Sequence, residues 1–443
     1  MKHFVFLVFG FLTLFELAAQ TNTLSPYSIY GLGDTPMSST TANASMGHTG
    51  VATLNTTNVN SINPASLAYI SKPSFVFDFR NEYLTLNNGN ASQSNNILSI
   101  ENFAFAFPLI NDFKKRHKGG FSFGLQPYAR QGYDVLSTEE IPGLGTAYYR
   151  FFGQGGINSA YLSASYDLIA DSNRTNVLSL GARGAYVFGN TSRNRVTQFD
   201  SNTTATYLFR REEKEISSFD AQIGLVYSRK LYLKKGTDEE RLDIVSAGVT
   251  YTPSMSFNTF IENTDYTYIG DYLTPIPLDT LFNENYRSST VAPQRFAFGL
   301  SYIYNSQLTL SADVSQTQWS ALEIDGKNAG LNDELTVGLG AELIPDHSSY
   351  KQLHKIIRYR AGINYSQTRL NVNGTQPVRI GVSTGVGIPI LASRSTTIFN
   401  LGTEYAFRGT SGLAVSENFW NVYFGMIITP SQFDRWFVKR KYD

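Results

Sequence analysis

Apolar and polar residues alternate with a period of two along most of the chain after residue 74. In the stretch 161–168, Leu162, Ala164 and Leu168 fall on one face, whereas Ser163 and Ser165 fall on the other. Such alternation places successive side chains on opposite sides of a β-strand and predicts strands with one apolar face. The same pattern recurs at 178–188, 219–228, 334–343, 357–366 and 378–388.

The alternation predicts 14 strands, an even number that brings both ends of a single-chain bacterial barrel to the periplasmic side. The predicted strands are 75–87, 97–110, 118–135, 148–169, 176–198, 204–232, 241–257, 293–304, 307–320, 334–345, 356–370, 377–391, 396–409 and 418–429. Linkers after even strands are mostly short and are expected to be periplasmic turns. Linkers after odd strands include 136–147, 321–333 and the long stretch 258–292, which are expected to be extracellular loops.

The residues on the two faces favour a membrane barrel over a soluble β-sandwich. The polar face carries Gly, Ser, Thr, Arg and Glu with few Lys, and the apolar face often ends in aromatic residues. This arrangement suits lipid outside, a polar lumen inside and aromatic girdles at the interfaces. We therefore predict an all-β fold, a transmembrane antiparallel β-barrel over residues 75–429 that contacts outer-membrane lipid. A soluble secreted all-β protein is the alternative.

Composition adds two limits to this picture. The chain has no Cys, so disulfides cannot stabilise an exported protein and a large closed structure must do so. Lys+Arg and Asp+Glu are balanced at 36 each, which argues against a nucleic-acid partner.

The two ends of the chain carry their own signals. Lys2, the apolar run 4–15 and the small residues up to Ala19 predict a signal peptide over 1–19 and export to the outer membrane of a Gram-negative bacterium. A membrane-anchoring helix is the alternative. After the last strand, residues 430–443 are expected to form a basic periplasmic tail with Arg435, Lys439, Arg440 and Lys441.

Residues 20–74 precede the first strand and are too polar and too broken to form part of the wall. They can be an internal hatch, a periplasmic tail or an arm that binds a partner. Asn63-Pro64 favours a turn, and Pro64 suits the first position of a short helix.

Within that segment a family resemblance appears. Met46-Gly47, Asn63-Pro64-Ala65 and Leu67, in "NASMGHTGVATLNTTNVNSINPASLAYISKPSFVFDF", resemble the N-terminal hatch of the FadL-type (OmpP1/TodX-like) outer-membrane transporters of hydrophobic compounds. The resemblance implies a 14-stranded barrel plugged by residues 20–74. It also implies passive transport of a hydrophobic small molecule, such as a long-chain fatty acid.

Two other stretches, 25–36 and 434–443, look like a separate branch of FadL-like barrels. Some relatives of this build serve protein secretion machinery. The alternative function is therefore a non-transporting accessory subunit of an outer-membrane protein secretion or assembly complex, with other outer-membrane or periplasmic proteins as partners.

Three glycines cluster within the fourth predicted strand. Gly153, Gly155 and Gly156 lie beside Phe151 and Phe152. Clustered glycines in a strand indicate a bulge or a kink. In FadL-type barrels a kink in an early strand opens a lateral gate, so the resemblance implies a candidate gate here. A bulge that only shapes the barrel is the alternative.

Alternation also places charged side chains on the inward face. We expect these charges to pair with one another and with the hatch, because an unpaired charge in a narrow lumen is costly. Alternatively, one of these arginines binds the carboxylate of a ligand. The inward charges are Arg183, Arg358, Arg360, Arg379, Glu342, Glu404, Asp220 and Asp313.

The sequence gives little support for a catalytic site or a metal-binding site. After residue 19 the histidines are His48, His117, His347 and His354. On the predicted topology none lies near an outer loop or at a lipid-facing strand centre with a partnered Ser, so no nucleophile–base pair is expected. Asp346, His347 and His354 are spaced as in a solvated turn. We therefore expect neither an enzyme, nor a metal site, nor a cofactor.

Overall fold

The computed structural model describes residues 23–430 apart from several short gaps. The gaps are 38–39, 90, 111–115, 143–144, 200–206, 236–238, 271, 274, 347–348, 350–351, 373, 393–394 and 411–414. The predicted signal peptide and the predicted tail beyond Pro430 lie outside the described residues.

Eighteen strands make up most of the described chain. They are β1 (Ser74–Asn87), β2 (Ser92–Ile110), β3 (Gly119–Ile141), β4 (Gly145–Ala170), β5 (Asn176–Phe199), β6 (Tyr207–Lys235), β7 (Glu239–Thr252), β8 (Met255–Ile269), β9 (Ile276–Ala292), β10 (Arg295–Tyr304), β11 (Leu308–Thr317), β12 (Glu323–Ile324), β13 (Lys327–Asn328), β14 (Glu334–Leu343), β15 (Arg358–Gln367), β16 (Val378–Ala392), β17 (Ser395–Gly409) and β18 (Ser416–Pro430). The short helices are α1 (Thr41–Ala44) and α2 (Leu353–Ile356), with 3-10 turns at Pro26–Ile29, Pro64–Tyr69 and Trp319–Ala321.

Fourteen of these strands close into one antiparallel ring. Their order is β1 to β7, then β10, β11 and β14 to β18. The ring closes where β18 returns to β1, with Phe75 opposite Ile428. This confirms the predicted 14-stranded antiparallel barrel, and each predicted wall strand overlaps one of the observed strands. The ends differ most at β2, β3 and β7, and most of the predicted loop 136–147 belongs to β3 and β4.

The two faces of the wall differ as the alternation predicts. Along β18, Trp420, Val422 and Phe424 are exposed on the outside, whereas Asn421 and Tyr423 are buried on the inside. The shortest wall strands, β10, β11, β14 and β15, have ten residues each, which is the length that a tilted strand needs to cross a membrane. Within the described residues no helix is long and apolar enough to span a membrane.

The stretch 258–292, predicted as a long loop, is instead largely two strands. β8 and β9 form a hairpin between the wall strands β7 and β10, and β8 pairs with the first part of β6 from Tyr207↔Tyr268 to Ser217↔Asn258. One face of β8 is buried at Phe257, Thr259 and Ile261, but residues 276–285 of β9 are all exposed, so the hairpin as a whole lacks the regular apolar face of the wall strands. The predicted loop 321–333 likewise contains the small hairpin β12–β13.

Residues 23–73 touch wall strands from all parts of the ring. The turn Pro64–Tyr69 contacts β2 to β6, and α1 contacts β16 to β18. Because these strands lie on different sides of a closed ring, the segment runs across the interior. Polar backbone along this path needs hydrogen-bond partners, and the inward face of the wall supplies them.

Candidate functional site

Hydrogen bonds join residues 23–73 to the wall on nearly opposite sides. The backbone amides of Gly50 and Val51 donate to Asp313 Oδ2 of β11 at 2.6 and 2.8 Å. On the far side of the ring, the Thr41 amide donates to Asp78 Oδ1 of β1 at 2.9 Å. Other contacts reach β3 (Ser28 to Gly132), β6 (Ile62 to Gln222 and Tyr69 to Ser228), β7 (Ala52 to Ser246) and β16 (Gly47 to Ser383).

Glycines on the inward face allow this close approach. A Cβ on Gly181 of β5 would overlap the backbone of Ala65, and a Cβ on Gly362 of β15 would overlap the backbone of Gly47. We call the set of such positions the glycine belt, since it extends over ten wall strands. It consists of Gly120, Gly181, Gly224, Gly248, Gly299, Gly338, Gly340, Gly362, Gly385, Gly402 and Gly425.

The Asn63 turn is the centre of one contact region. The Asn63 side-chain oxygen accepts from the Ala65 amide at 3.0 Å, which caps the 3-10 turn that Pro64 begins. Its amide nitrogen donates to the carbonyl of Val51 at 2.7 Å and to that of Leu225 in β6 at 3.2 Å. One side chain therefore joins two parts of the segment to the wall.

The other residues of the predicted hatch motif are also buried, Ala65 and Leu67 against β3 and β5, and Met46 and Gly47 against β14 to β16. Met46, Ala65 and Leu67 each expose 5% of their surface or less. Gly47 adopts φ +63°, a left-handed conformation that favours glycine. At this position the segment turns against the backbone of β15, where a side chain would overlap the carbonyl of Ile363.

Two inward charge clusters lie on the second half of the ring. Glu342 of β14 accepts from Arg360 of β15 at 2.6 Å and faces Arg358 at 3.5 Å. Glu404 of β17 accepts from Arg379 at 2.9 Å and lies 3.1 Å from His48 Nε2. Glu404 is fully buried and also accepts hydrogen bonds from Asn364, Asn421 and Tyr423.

Arg183 lies on the opposite half of the ring. Its guanidinium is 4.4 Å from the centre of the Tyr161 ring and donates to Ser159 Oγ at 3.3 Å and to the Ser61 carbonyl at 3.5 Å. The structure therefore brings Arg183 to the N-terminal segment, while Arg358 and Arg360 join Glu342, and Arg379 joins Glu404.

Asp34 is a third connection between the segment and the wall, and the sequence analysis missed it. It lies 3.3 Å from Arg408 and 3.5 Å from Arg369, and its backbone forms an isolated bridge with Arg130 of β3. Burial alone would raise the pKa of the Asp34 carboxyl, but Arg408 and Arg369 hold it below its ordinary value. Ser25 completes the cluster by bonding Glu417 at 2.6 Å.

Among the described residues, two cavities lie between the segment and the wall, and both have charged groups in their lining. One, of about 100 Å³, is lined by Arg80, Glu101, Arg130, Arg369 and Arg408, among others. The other, of about 210 Å³, is lined by Arg183, Asp220, Arg295, Asp313 and Glu334, among others.

Apolar clusters close the interior toward both ends. Leu32 packs with Phe257, Trp319, Leu322 and Leu331 at the end where the connections are long. Toward the other end, Val59, Leu67 and Ile70 pack with residues of the wall strands, which are Val76, Ala104, Ala106, Tyr161, Ala185, Ile398 and Ile427. Charged side chains therefore lie between two packed apolar clusters.

The candidate gate in β4 lies in a continuous part of the wall. Gly153, Gly155 and Gly156 have partners in register on both β3 and β5, and the neighbouring bulge lies at Tyr128 of β3. Gly155 has φ +126°, which favours glycine, and a Cβ there would overlap the carbonyl of Asn190. Phe151 and Phe152 are half-buried and lie near Arg195 and Arg150.

The histidines do not assemble a catalytic or metal site in the described part of the chain. His48 contacts Glu404, and His117 Nδ1 lies 2.6 Å from the Asp167 carbonyl. His347 lies outside the described residues. Among the described residues, no group of three or more His, Asp or Glu side chains is arranged to hold a metal ion.

The glycine belt and Asp34 are the features that sequence reasoning missed. Alternation placed many glycines on the inward face, but only the path of residues 23–73 shows which of them touch the segment. Asp34 lies in a stretch without periodicity, and its partners Arg369 and Arg408 are more than 330 residues away in sequence.

Comparison with known proteins identifies a family and a fold. The family model described as BamG matches residues 1–443. No curated protein matches the chain.

Solved structures share the fold at low sequence identity. The monoaromatic hydrocarbon channel CymD is 13% identical, with 91% of this chain and 98% of that chain covered and a TM-score of 0.50. The toluene transporter TbuX of Ralstonia pickettii is 14% identical over 88% and 97% of the two chains, with a TM-score of 0.50. A deltaS2S3 mutant of the monoaromatic hydrocarbon channel TodX is 12% identical over 88% and 98%, with a TM-score of 0.54. The TodX-like resemblance therefore holds for the fold, while the matching family model is BamG.

Proposed function

This chain belongs to the BamG family, and from that premise we propose that it is a non-transporting barrel subunit of an outer-membrane protein assembly or secretion complex. In this proposal residues 20–74 are a fixed plug, residues 75–429 are the membrane-embedded wall, and the barrel contacts outer-membrane lipid. The chain is exported through its signal peptide, and the basic tail 430–443 faces the periplasm.

The observation that carries this proposal is the attachment of residues 23–73 to strands all round the ring. A solute passing through the interior would have to break the bonds to Asp78, Asp313 and Ser383 and lift the segment off the glycine belt. Removing one partner from a buried hydrogen bond costs about 1–3 kcal/mol, so displacing many at once is prohibitive without an input of energy. A segment held in this way suits a rigid scaffold.

The character of the cavities supports the same proposal. Sites for hydrophobic small molecules are lined mainly by apolar and aromatic side chains. Both interior cavities carry guanidinium and carboxylate groups in their lining, such as Arg183, Asp220, Arg408 and Glu101. The larger one also has apolar lining residues, which include Met37, Val51, Ile62, Tyr128 and Trp319. A hydrocarbon in either cavity would contact these charged groups and would therefore gain less than in an apolar pocket.

Affinity purification tests the proposal directly. Tagged full-length protein, extracted from the outer membrane in mild detergent, is expected to retain an assembly or secretion subunit in fixed stoichiometry. Depletion of the protein should reduce the insertion of other outer-membrane proteins. Recovery of a monomer alone, together with normal insertion after depletion, would contradict the proposal.

Passive transport of hydrophobic small molecules is the second candidate function. It is favoured by the fold shared with proteins named as hydrocarbon channels and by the left-handed Gly155 in β4. In this alternative the solute would leave sideways through the wall near Gly153, Gly155 and Gly156. Uptake of a hydrophobic fluorescent probe by cells with and without the protein separates the two: equal uptake excludes transport of that probe.

A further inference from the structure

Five cationic side chains meet at the end of the barrel where β1 begins and β18 ends. They come from three neighbouring places on the wall, which are the start of β3, the turn between β4 and β5, and the last part of β6. Strands β3 to β6 follow one another in the ring, so the five residues belong to one sector of the rim. We call them the basic rim patch, which consists of Arg116, Lys118, Arg174, Arg229 and Lys230.

The turn between β4 and β5 holds the patch together. The Arg174 guanidinium donates to the carbonyl of Arg116, and the backbone amide of Lys230 donates to the carbonyl of Thr175 at 2.8 Å. Arg229 pairs in register with the first residue of β5. Because these contacts join all three places, the five cations lie close together and repel one another.

The fold neutralises only part of this charge. The same three places carry two carboxylates, Asp167 and Asp171. Asp167 is fully buried and accepts from the Lys118 amide at 2.8 Å and from Arg174 at 2.6 Å. Asp171 accepts from backbone amides of its own turn. Within the part of the chain that the structure describes, Arg174 is the one member of the patch with an ion pair, so the patch keeps a positive charge.

The patch lies at the edge of the membrane layer. Lys230 pairs with Ile244 of β7, and Ile244 pairs in turn with Ile303 of β10. Ile303 is the last residue but one of β10, which spans the membrane with ten residues. The register therefore places Lys230 and its neighbour Arg229 where the hydrocarbon layer ends and lipid headgroups begin.

A row of apolar side chains adjoins the patch on the lipid side. Ile169 of β4, Leu178 of β5 and Tyr227 of β6 are partners in register across the outer face of the wall, and we call them the apolar row. Ile169 exposes 60% of its surface and Tyr227 exposes 43%. Arg229 comes two residues after Tyr227 and so points to the same face. Cations beside exposed apolar surface suit a molecule with an anionic head and hydrocarbon tails.

Other described turns on the same rim lack this concentration of positive charge. The turn between β10 and β11, residues 305–307, has no charged residue. In the turn between β14 and β15, Lys355 accompanies an acidic residue, since its carbonyl accepts from the amide of Asp346 at 2.9 Å. A general attraction to the membrane surface would need basic residues all round the rim. Their concentration in one sector indicates a local site.

We propose that the basic rim patch binds an anionic phospholipid, with the phosphate on Arg116 and Arg229 and the acyl chains along the apolar row. Arg116 and Arg229 are the exposed members of the patch, and the other three are half-buried behind them and add to the positive potential. Clusters of Lys and Arg at a membrane surface attract anionic lipids. The inference goes beyond the proposed function, because it uses the position of the wall in the membrane and not the partners of a complex.

Lipid binding to the purified full-length protein tests the site. The protein in a neutral detergent is mixed with phosphatidylglycerol, which is anionic, with phosphatidylethanolamine, which is zwitterionic, or with glycerol 3-phosphate, which has no acyl chains. Phosphatidylglycerol is expected to raise the melting temperature and to stay bound in native mass spectrometry, whereas the other two should do neither. Its effect should weaken as the salt concentration rises, because salt screens exposed charges.

Neutral substitutions test whether the two exposed arginines hold the lipid. The variant with Arg116→Gln and Arg229→Gln is expected to bind phosphatidylglycerol about tenfold more weakly, since it loses charge-assisted contacts to the phosphate. Lys355→Gln is the matched control, because it removes a cation from the same rim outside the patch, and it should change nothing. Heat-modifiable migration on a gel checks that both variants form the barrel.

Three results would overturn the inference. The first is equal binding of phosphatidylglycerol by the double variant and the unchanged protein, or equal stabilisation by the two phospholipids. The second is stabilisation by glycerol 3-phosphate alone, which would indicate a site for free phosphate. The third is loss of a co-purifying protein, and not of lipid, from the double variant, which would assign the patch to a protein contact. The lipid measurements use the isolated protein, so their failure leaves the proposed function to be judged by its own purification experiment.

Discussion

Ala65 of the N-terminal segment lies directly against Gly181 of β5, so closely that a Cβ on Gly181 would overlap the Ala65 backbone. On the same strand, Gly184 has open space around the position of a Cβ and belongs to the outward face. The two glycines therefore separate the role of the plug contact from the general effect of a larger residue in β5.

Replacing Gly181 should detach part of the plug. We expect Gly181→Leu to lower the free energy of unfolding by at least about 1–3 kcal/mol, the usual effect of overpacking, and to expose residues 60–70 to protease. Gly184→Leu should leave both properties unchanged, since its side chain points away from the segment. Thermal shift and limited proteolysis in detergent measure the two effects. Equal behaviour of the variants would contradict the glycine-belt interpretation.

Asn63 offers a test of the capped turn. Asn63→Ala removes the cap on Ala65 and both donated hydrogen bonds, and we expect a loss of about 1–2 kcal/mol. Asn63→Asp keeps an acceptor for the Ala65 amide but cannot donate to Val51 or Leu225. If Asn63 only caps the turn, Asn63→Asp should be as stable as the unchanged protein. If its contact with the wall matters, Asn63→Asp should remain destabilised. Because both donated bonds lie inside the ring, we expect little rescue.

Two arginines that share one glutamate should differ in importance. Arg360 is buried, lies 2.6 Å from Glu342 and also donates to Asn400 at 2.8 Å. Arg358 lies 3.5 Å from the same glutamate. Arg360→Met is expected to cost about 3–5 kcal/mol, because it breaks the closer buried pair. Arg358→Met should cost less, because its contact with Glu342 is longer and its side chain is less buried. Denaturation of the purified barrel provides the comparison, and a larger loss for Arg358→Met would contradict it.

Attachment of residues 23–73 to the wall should weaken in acid through Asp34. Its pKa in the folded protein lies below the ordinary value of 3.8, since Arg408 and Arg369 favour the carboxylate. A lowered folded pKa means that this stabilisation is fully present above pH 3.8 and is lost as the pH falls through the folded pKa.

Protease accessibility of residues 23–40, followed against pH, measures that loss. Protease accessibility should be constant from neutral pH down to pH 3.8 and should rise as the pH falls further through the folded pKa of Asp34. Asp34→Asn should raise accessibility already at neutral pH and flatten the pH dependence. The same acid response in this variant would assign the effect to other carboxylates.

A disulfide across the wall tests the gate without changing Gly155. Valine at Gly155 would strain the backbone at φ +126° whether or not a gate exists, so that substitution is a poor test. Gln154 and Ser192 face each other in register, so cysteines at both positions (Gln154→Cys with Ser192→Cys) can form a disulfide that links β4 to β5. The unchanged chain has no cysteine, so no other disulfide can form. Under the proposed function, the oxidised and reduced proteins should behave alike in probe uptake. A loss of uptake on oxidation that reverses on reduction would instead support lateral transport.

The alternation of the sequence determined the wall of this protein. Successive side chains of a strand point to opposite faces, so residues such as Leu162 and Ser163 had to meet lipid and lumen in turn, and the 14 wall strands follow from that constraint. Parity likewise placed Arg360, Glu342 and Glu404 inside. The strands β8 and β9 escaped this logic because residues 276–285 of β9 are exposed throughout, so their side chains show no burial alternation.

The tertiary structure alone decided what fills the ring. Residues 23–73 lack periodicity, and their conformation depends on partners that are distant in sequence, such as Asp313 for Val51 or Arg408 for Asp34. Which inward glycines touch the segment depends on the register of 14 strands and on the path of the chain between them. Local patterns report which face a residue takes, but only the closed ring determines which distant backbone lies opposite that face.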